Sequence, residues 1–322
     1  MVQRFSRSMM LPVLLPVILG VAVLEGHAQT DGRLARRHIE ELSDRIGSRL
    51  AGSPAEAAGA DYIQSALEES GYAVERQSFA FGPEDAGRGR SLTSTNLIAV
   101  KPGESDLEIV VGAHYDSEVR GRGAGDNASG VGVLLEVAAA VRNQATPYSI
   151  RFVAFGAEEQ GLAGSRHFVR EMSPEQIAGT VAMINLDSLI VGELAYVYGD
   201  PGDAGVLRDW ILARARQEGF DLTTQAGANP DYPAGTTCDC SDHAPFVEAG
   251  IRYAYFESTN WGLGDRDGYV QVDPRFGEGG RVWHTRFDTT EYIDATFQGR
   301  ADQRLALFGR MLYLTLTEYM DR

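Results

Sequence analysis

The sequence predicts an α/β domain built on a largely parallel sheet. Short runs rich in Val, Ile and Phe alternate with segments of helical period. Several of those runs finish on a histidine or an acid, which is how open α/β sheets present functional groups at the carboxyl ends of their strands. No internal repeat, low-complexity linker or composition shift divides the chain after residue 30, so one domain is the economical reading.

Taken in order, Leu34 to Leu50 and Ala55 to Ser70 carry helical period, and Gly71 suits the position just past a helix end. Tyr72 to Phe81 reads as a strand, followed by a Gly- and Arg-rich loop from Glu84 to Ser91. Asn96 to Val100 and Ile109 to Gly112 are strands, and Ser129 to Arg142 is a helix. A strand from Ile150 to Phe155, a helix from Gly164 to Met172, and strands Val181 to Leu186 and Leu194 to Tyr198 follow. Ala204 to Gly219 is helical and Ile251 to Phe256 is a buried strand. Ser258 to Trp283 is a Gly- and Asp-rich excursion with little period, and Ala295 to Met320 reads as one long helix.

The chain has 322 residues, 43% hydrophobic and 23% charged, which excludes a disordered, collagenous or coiled-coil protein. Its formal net charge of −16 makes nucleic acid a poor partner, because phosphate must be neutralised by Lys and Arg. Arg4 and Arg7 precede an apolar run, Met9 to Leu24, interrupted by Pro12 and Pro16. Gly26-His27-Ala28 offers small residues where a signal peptidase reads them. Residues 1–28 therefore read as a cleaved export signal and 29–322 as the mature domain, periplasmic or secreted and not inserted in a membrane. An uncleaved anchor is the alternative, weakened by the shortness of the run and its prolines. Export puts Cys238 and Cys240 in an oxidising compartment. Their Cys-Asp-Cys spacing leaves a small disulfide ring and two free thiols both open.

His38 and His167 lie in helical segments beside Arg37 and Arg166 and read as solvated surface residues. His114 and Asp116 instead end an apolar strand, two residues apart and so on one side of the chain. A carboxylate beside an imidazole fixes its tautomer, as a metal ligand needs. Asp126 stands in the turn Gly125-Asp126-Asn127-Ala128-Ser129-Gly130 before a helix, where a capping role is the simpler alternative. Asn127-Ala128-Ser129 also matches a glycosylation sequon, an unsuitable assignment for the mouth of a buried site. Glu158 and Glu159 follow a second apolar strand; adjacent carboxylates diverge, so one can bind metal while the other acts as a base. Asp187 ends a third strand, and His284 opens a His-Thr-x-x-Asp run ending at Asp288. Two imidazoles with three carboxylates suit zinc.

These stretches, His114-Tyr115-Asp116-Ser117, Gly125 to Gly130, Ala157-Glu158-Glu159, Asn185-Leu186-Asp187 and His284-Thr285, together with Ile46 to Ser53, resemble the co-catalytic di-zinc aminopeptidases. That family also holds glutaminyl cyclases, glutamate carboxypeptidase II and the protease-like domain of transferrin receptors. The resemblance runs from about residue 34 to the end. It implies a mixed, mostly parallel eight-stranded sheet between helices. It implies two Zn2+ ions, one on His114 and Asp187, one on Glu159 and His284, with Asp126 bridging. It makes Glu158 the general base and later proton donor, Asp116 the partner of His114, and the Asp126–Asn127 peptide cis. Ser188 departs from the pattern, standing after Asp187 where larger residues are common. The substrate it implies is a peptide or protein with a free amino terminus, cleaved at its first residue.

The second half also resembles the bacterial alkaline phosphatase isozyme conversion aminopeptidases, which trim an amino-terminal arginine. Asp265, Asp267, Asp273 and Glu278 are candidates to line a pocket for a basic first residue, against a solvated acidic loop. His243 and Asp242, in a Ser-Asp-His stretch, are candidates to contact substrate, with a buried structural histidine as the alternative. A cyclase with one zinc, a carboxypeptidase, or a binding module on the same fold are the rival functions.

Overall fold

The computed structural model describes residues 30–82 and 92–321. The export segment and the Glu84–Ser91 loop read from the sequence lie outside the described residues.

Helix α1 (Arg33–Ile39) continues into a wider helical turn, Glu40–Ile46, and stops at Gly47, whose φ of 90° no helix accepts. Helix α2 (Pro54–Glu69) starts where Ser53 Oγ accepts the Glu56 N–H at 3.2 Å, with proline at its first position. The remaining elements are β1 (Val74–Phe81), β2 (Leu92–Lys101), β3 (Ser105–His114), α3 (Ser129–Val141), β4 (Tyr148–Phe155), α4 (Ala163–Glu171), α5 (Pro174–Gly179), β5 (Thr180–Leu186), β6 (Leu194–Gly199), α6 (Val206–Glu218), α7 (Ala244–Glu248), β7 (Tyr253–Thr259), α8 (Thr290–Thr296) and α9 (Arg300–Glu318).

The seven strands form one mixed sheet in the order β1-β2-β4-β3-β5-β7-β6. Its centre, β4, β3, β5 and β7, is parallel, and β1, β2 and β6 are antiparallel to their neighbours. The chain leaves β3 towards β4 on one side and returns to β5 on the other. That reversal opens a crevice at the carboxyl ends of the central strands.

Alternate residues of those strands feed two cores. Val111, Phe152 and Ile184 join Ile39, Ile63, Val133, Ile211 and Phe308 in the larger one, beneath α1, α2, α3, α6 and α9. Val110, Val153 and Met183 meet Phe168 of α4 and Phe246 of α7 on the opposite face. Gly112 is required where it stands, since a Cβ there would lie 2.4 Å from the Phe155 ring.

Three expectations are corrected. The resemblance implies eight strands, and the described residues hold the seven that the residue pattern marks; the long excursion after β7 is punctuated by glycines and folds as turns. The long terminal helix is two, because Gly299 adopts φ 73° and separates α8 from α9. His38 is no surface residue: it is buried between α1 and α2, with Nδ1 2.7 Å from the Tyr62 hydroxyl. His167 is half-buried and stacks on Phe79, ring centres 5.1 Å apart.

Candidate active site

The carboxyl ends of β3, β4 and β5 deliver His114, the Glu158–Glu159 pair and Asp187 to the crevice, and the turn before α3 and the loop before α8 add Asp126 and His284. Two nests result. His114, Glu158 and Asp187 form one; Asp126, Glu159 and His284 form the other. Asp126 joins them: its Oδ1 lies 3.1 Å from His114 Nε2 and its Oδ2 lies 3.1 Å from His284 Nε2. His114 Nε2 is also 3.5 Å from Asp187 Oδ1, and His284 Nε2 is 3.2 Å from Glu159 Oε2. Glu158 stands back, its Oε2 4.0 Å from His114 Nε2.

Carboxylates outside the nests hold the backbone that carries them. Asp116 accepts the N–H groups of Glu158 at 2.9 Å and Glu159 at 3.1 Å, and its Oδ1 is 3.5 Å from His114 Nδ1. Asp288 does the same for Asp126, accepting N–H from Gly125 at 2.6 Å and from Asp126 at 3.1 Å. Glu56 reaches in from α2 to accept the Ala157 N–H at 3.2 Å. Ser241 donates to Asp187 Oδ2 at 2.7 Å, leaving Oδ1 to face the nest.

Arg49 is wholly buried; its guanidinium donates to the carbonyls of Leu42, Gly47, Tyr115, Arg122 and Gly123, clamping the chain on both sides of the His114–Asp126 loop. Ala157, Ser188 and His284 itself, all non-glycine, have φ of 54°. Such backbone is held only where its surroundings over-determine it. The Asp126–Asn127 peptide is cis, and Asn127 is fully buried, bonded to Leu186 O and Gly130 N, so it offers no glycan acceptor.

The charge balance calls for cations. Asp116, Asp126, Glu158, Glu159 and Asp187 surround two imidazoles, and no arginine or lysine pairs with any of them among the described residues. The carboxylates of Asp126 and Glu159, accepting hydrogen bonds from its ring, push the His284 imidazole up to about 12. Burial, opposed by His114 and reinforced by Asp242, Glu159 and Asp187, pushes the Glu158 carboxyl well above the usual range. Asp187 Oδ1 and Glu159 Oε1 are buried with no hydrogen-bond partner. Imidazole nitrogen and carboxylate oxygen with unspent lone pairs are the donors zinc takes.

A cavity of about 460 Å³ opens over both nests. Leu162 and Arg166, the Thr237–Cys240 segment, Tyr255 and Glu257 of β7, Asp267, Tyr269 and Trp283 contribute to its wall. Cys238 and Cys240, left open by the sequence, are joined as a disulfide. His243 and Asp242 do not line this cavity. Both are fully buried behind it, His243 between the rings of Tyr253 and Tyr255 with Nε2 3.1 Å from Cys238 O. Of the acids in the excursion, Asp267 lines the wall; Asp265, Asp273 and Glu278 do not. Sequence reasoning passed over Glu56 and Glu257 as site residues, and quoted Arg49 and Ser241 without giving either a role. An Arg-Leu-x-Gly-Ser segment ahead of a helix was the available signal for Arg49; the others carry none outside the fold.

Paired nests sharing a carboxylate, with a further carboxylate at their side, define a metal-dependent hydrolase. The description "Peptidase family M28" matches residues 96–308, a span that contains every nest residue. The chain belongs to that family. It is 35% identical over 315 residues to the "Alkaline phosphatase isozyme conversion protein" of Escherichia coli, covering 89% of this chain and 91% of that one. "Aminopeptidase YwaD" of Bacillus subtilis is 35% identical over 212 residues, 62% of this chain and 41% of that protein. In fold the chain is similar to a Bacillus subtilis zinc aminopeptidase (TM-score 0.70, 21% identity, 90% and 96% of the two chains). It is also similar to a Porphyromonas gingivalis glutaminyl cyclase (TM-score 0.64, 22% identity, 90% and 97%).

Proposed function

We propose that this M28 enzyme is an exported metallo-aminopeptidase that removes the first residue of peptides or proteins with two zinc ions. The observation that carries the reading is Asp126, one oxygen in each nest at 3.1 Å from that nest's histidine. His114 and Asp187 would hold one ion and Glu159 and His284 the other, with Asp126 set between the two pairs. Bound zinc supplies Lewis acidity toward the scissile carbonyl and lowers the pKa of water to about 7.

Glu158 is the nest carboxylate farthest from an imidazole and is left to move the proton. It takes a proton from the attacking water and returns it to the leaving amine. Asp116 holds the Glu158 N–H and the His114 ring in one frame. The free α-amine of the substrate occupies a position at the nests, which sets cleavage at the first residue. The cavity has the size of a small-molecule site and takes a chain end.

A preference for a basic first residue forms part of the proposal. Beyond the nest ligands, Asp239, Glu257 and Asp267 line the wall, and its one arginine, Arg166, is paired with Glu248 at 3.1 Å. Export is supported by the disulfide and by the residue 1–28 pattern; no helix among the described residues is long and apolar enough to cross a membrane. Amino-terminal sequencing of the exported protein should find cleavage after Ala28.

The test is hydrolysis of a panel of aminoacyl anilides by the mature protein, as purified, after chelation and after zinc return, with Glu158→Gln alongside. Chelator-sensitive release that the variant lacks supports the reading. Conversion of amino-terminal glutamine to pyroglutamate without release of any first residue would replace it with cyclisation.

A further inference from the structure

The wall contributed by β7 carries a charge that the metal nests do not use. Tyr255 and Glu257 are two apart on β7, so both face the cavity. The β5–β7 register, Leu186 opposite Phe256, sets Glu257 beside Asp187 at the edge of the first nest. Glu257 is only 5% exposed. Its Oε2 accepts the Tyr198 hydroxyl at 2.6 Å, and the Tyr198 oxygen accepts the Trp261 indole N–H at 2.7 Å. This chain of bonds fixes the carboxylate from behind. Oε1 has no hydrogen bond among the described residues, and no arginine, lysine or histidine pairs with the group.

A buried carboxylate without a cationic partner is costly. It therefore gains most from a cation brought to it. The other acids of the wall are differently placed: Asp239 is exposed, and Asp267 accepts the Tyr269 N–H at 2.9 Å within its own loop. Tyr255, Tyr269 and Trp283 supply aromatic surface along the same cavity, suited to cover an alkyl stem and a planar cation.

We infer that Glu257 is the specificity-determining residue for the side chain of the first residue, taking the guanidinium or ammonium of a basic substrate. The inference rests on the aminopeptidase reading, in which the α-amine is held at the nests and Glu257 is left for the side chain. Tyr198 is its positioning residue.

The experiment compares anilides of arginine and citrulline, side chains of one shape that differ in charge, on the zinc-loaded mature enzyme and on Glu257→Gln. The glutamine keeps an oxygen for the Tyr198 hydroxyl. The wild type should favour arginine in kcat/KM by about 30-fold, the span of a charge-assisted bond in a half-closed site. Glu257→Gln should bring that ratio to within about 3-fold, and Tyr198→Phe, a second variant, should lower it part of the way. A wild-type ratio near one overturns the inference. So does a fall common to both substrates that leaves the ratio intact, which would assign Glu257 to the α-amine or to folding. Release of leucine from its anilide separates the two levels: leucine release with no effect of Glu257 on the ratio overturns this inference alone. Failure of the wild type to release any first residue overturns the aminopeptidase reading and the inference with it.

Discussion

Asp288 is absent from both nests, yet its two oxygens accept the N–H groups of Gly125 and Asp126. An asparagine there keeps one acceptor and turns an NH2 group against a backbone N–H. Asp288→Asn should weaken zinc binding about 10- to 100-fold, read by competition with a chelating dye. Glu158 is the opposite case, a group wanted for its proton. Glu158→Gln should retain its zinc and lose about 10²- to 10⁴-fold in kcat with KM little changed. Metal analysis beside steady-state kinetics distinguishes that outcome from loss of the site. At this scale the sequence was informative where chemistry sits on strand ends: His114, Glu158, Glu159 and Asp187 each close an apolar run. It was uninformative where a residue's role depends on a distant partner. Ser241 matters through Asp187, and Glu257 through a cavity assembled from β7, the Thr237–Cys240 segment and the loop before α8. His243 shows the converse: a motif-like histidine that packing claims for the wall behind the site.

Elements hold these residues to their positions by a few crossings. Gly130 begins the first turn of α3 so close to β5 that a Cβ would lie 2.3 Å from Leu186 O. Gly130→Ala should therefore cost about 1–3 kcal/mol in denaturant unfolding and disturb the Asp126 turn. Between α1 and α2, His38 is buried against the Tyr62 hydroxyl, and burial drives its imidazole down to about 4. The unfolded chain binds that proton at a normal pKa near 6.5, so between about pH 4 and 6.5 it holds more protons than the native state. Stability should rise with pH across that window and be fully present above it. His38→Gln should flatten this part of the profile, measured by thermal unfolding from pH 4 to 7. The sequence misplaced His38 because Arg37 beside it marked a solvated helix, while the helical period alone does not reveal how closely α2 covers that face. Element boundaries moved for equally local reasons, Gly299 dividing the terminal helix being the clearest.

Over the whole molecule, the order β1-β2-β4-β3-β5-β7-β6 gathers the carboxyl ends of three parallel strands into one crevice. The alternation of apolar runs with helices was enough to anticipate that sheet, because buried parallel strands must be apolar on both faces. The strand order was not readable from the residues; it decides which of several acids share a cavity, and so why Asp267 lines it and Asp273 does not. The gathered carboxylates repel one another, and zinc relieves that repulsion in the native state alone. Chelation should lower the unfolding temperature, and zinc at about 100 times its Kd should restore about 2.7 kcal/mol.

The most direct measurement titrates zinc into the metal-free mature protein while following release of the first residue from a peptide and from its N-acetylated twin. The expected result, if the proposed paired centre is correct, is activity that is complete at two zinc ions per chain, on the free amino terminus only. Full activity at one ion, or equal cleavage of the acetylated peptide, would contradict a paired metal centre acting on chain ends.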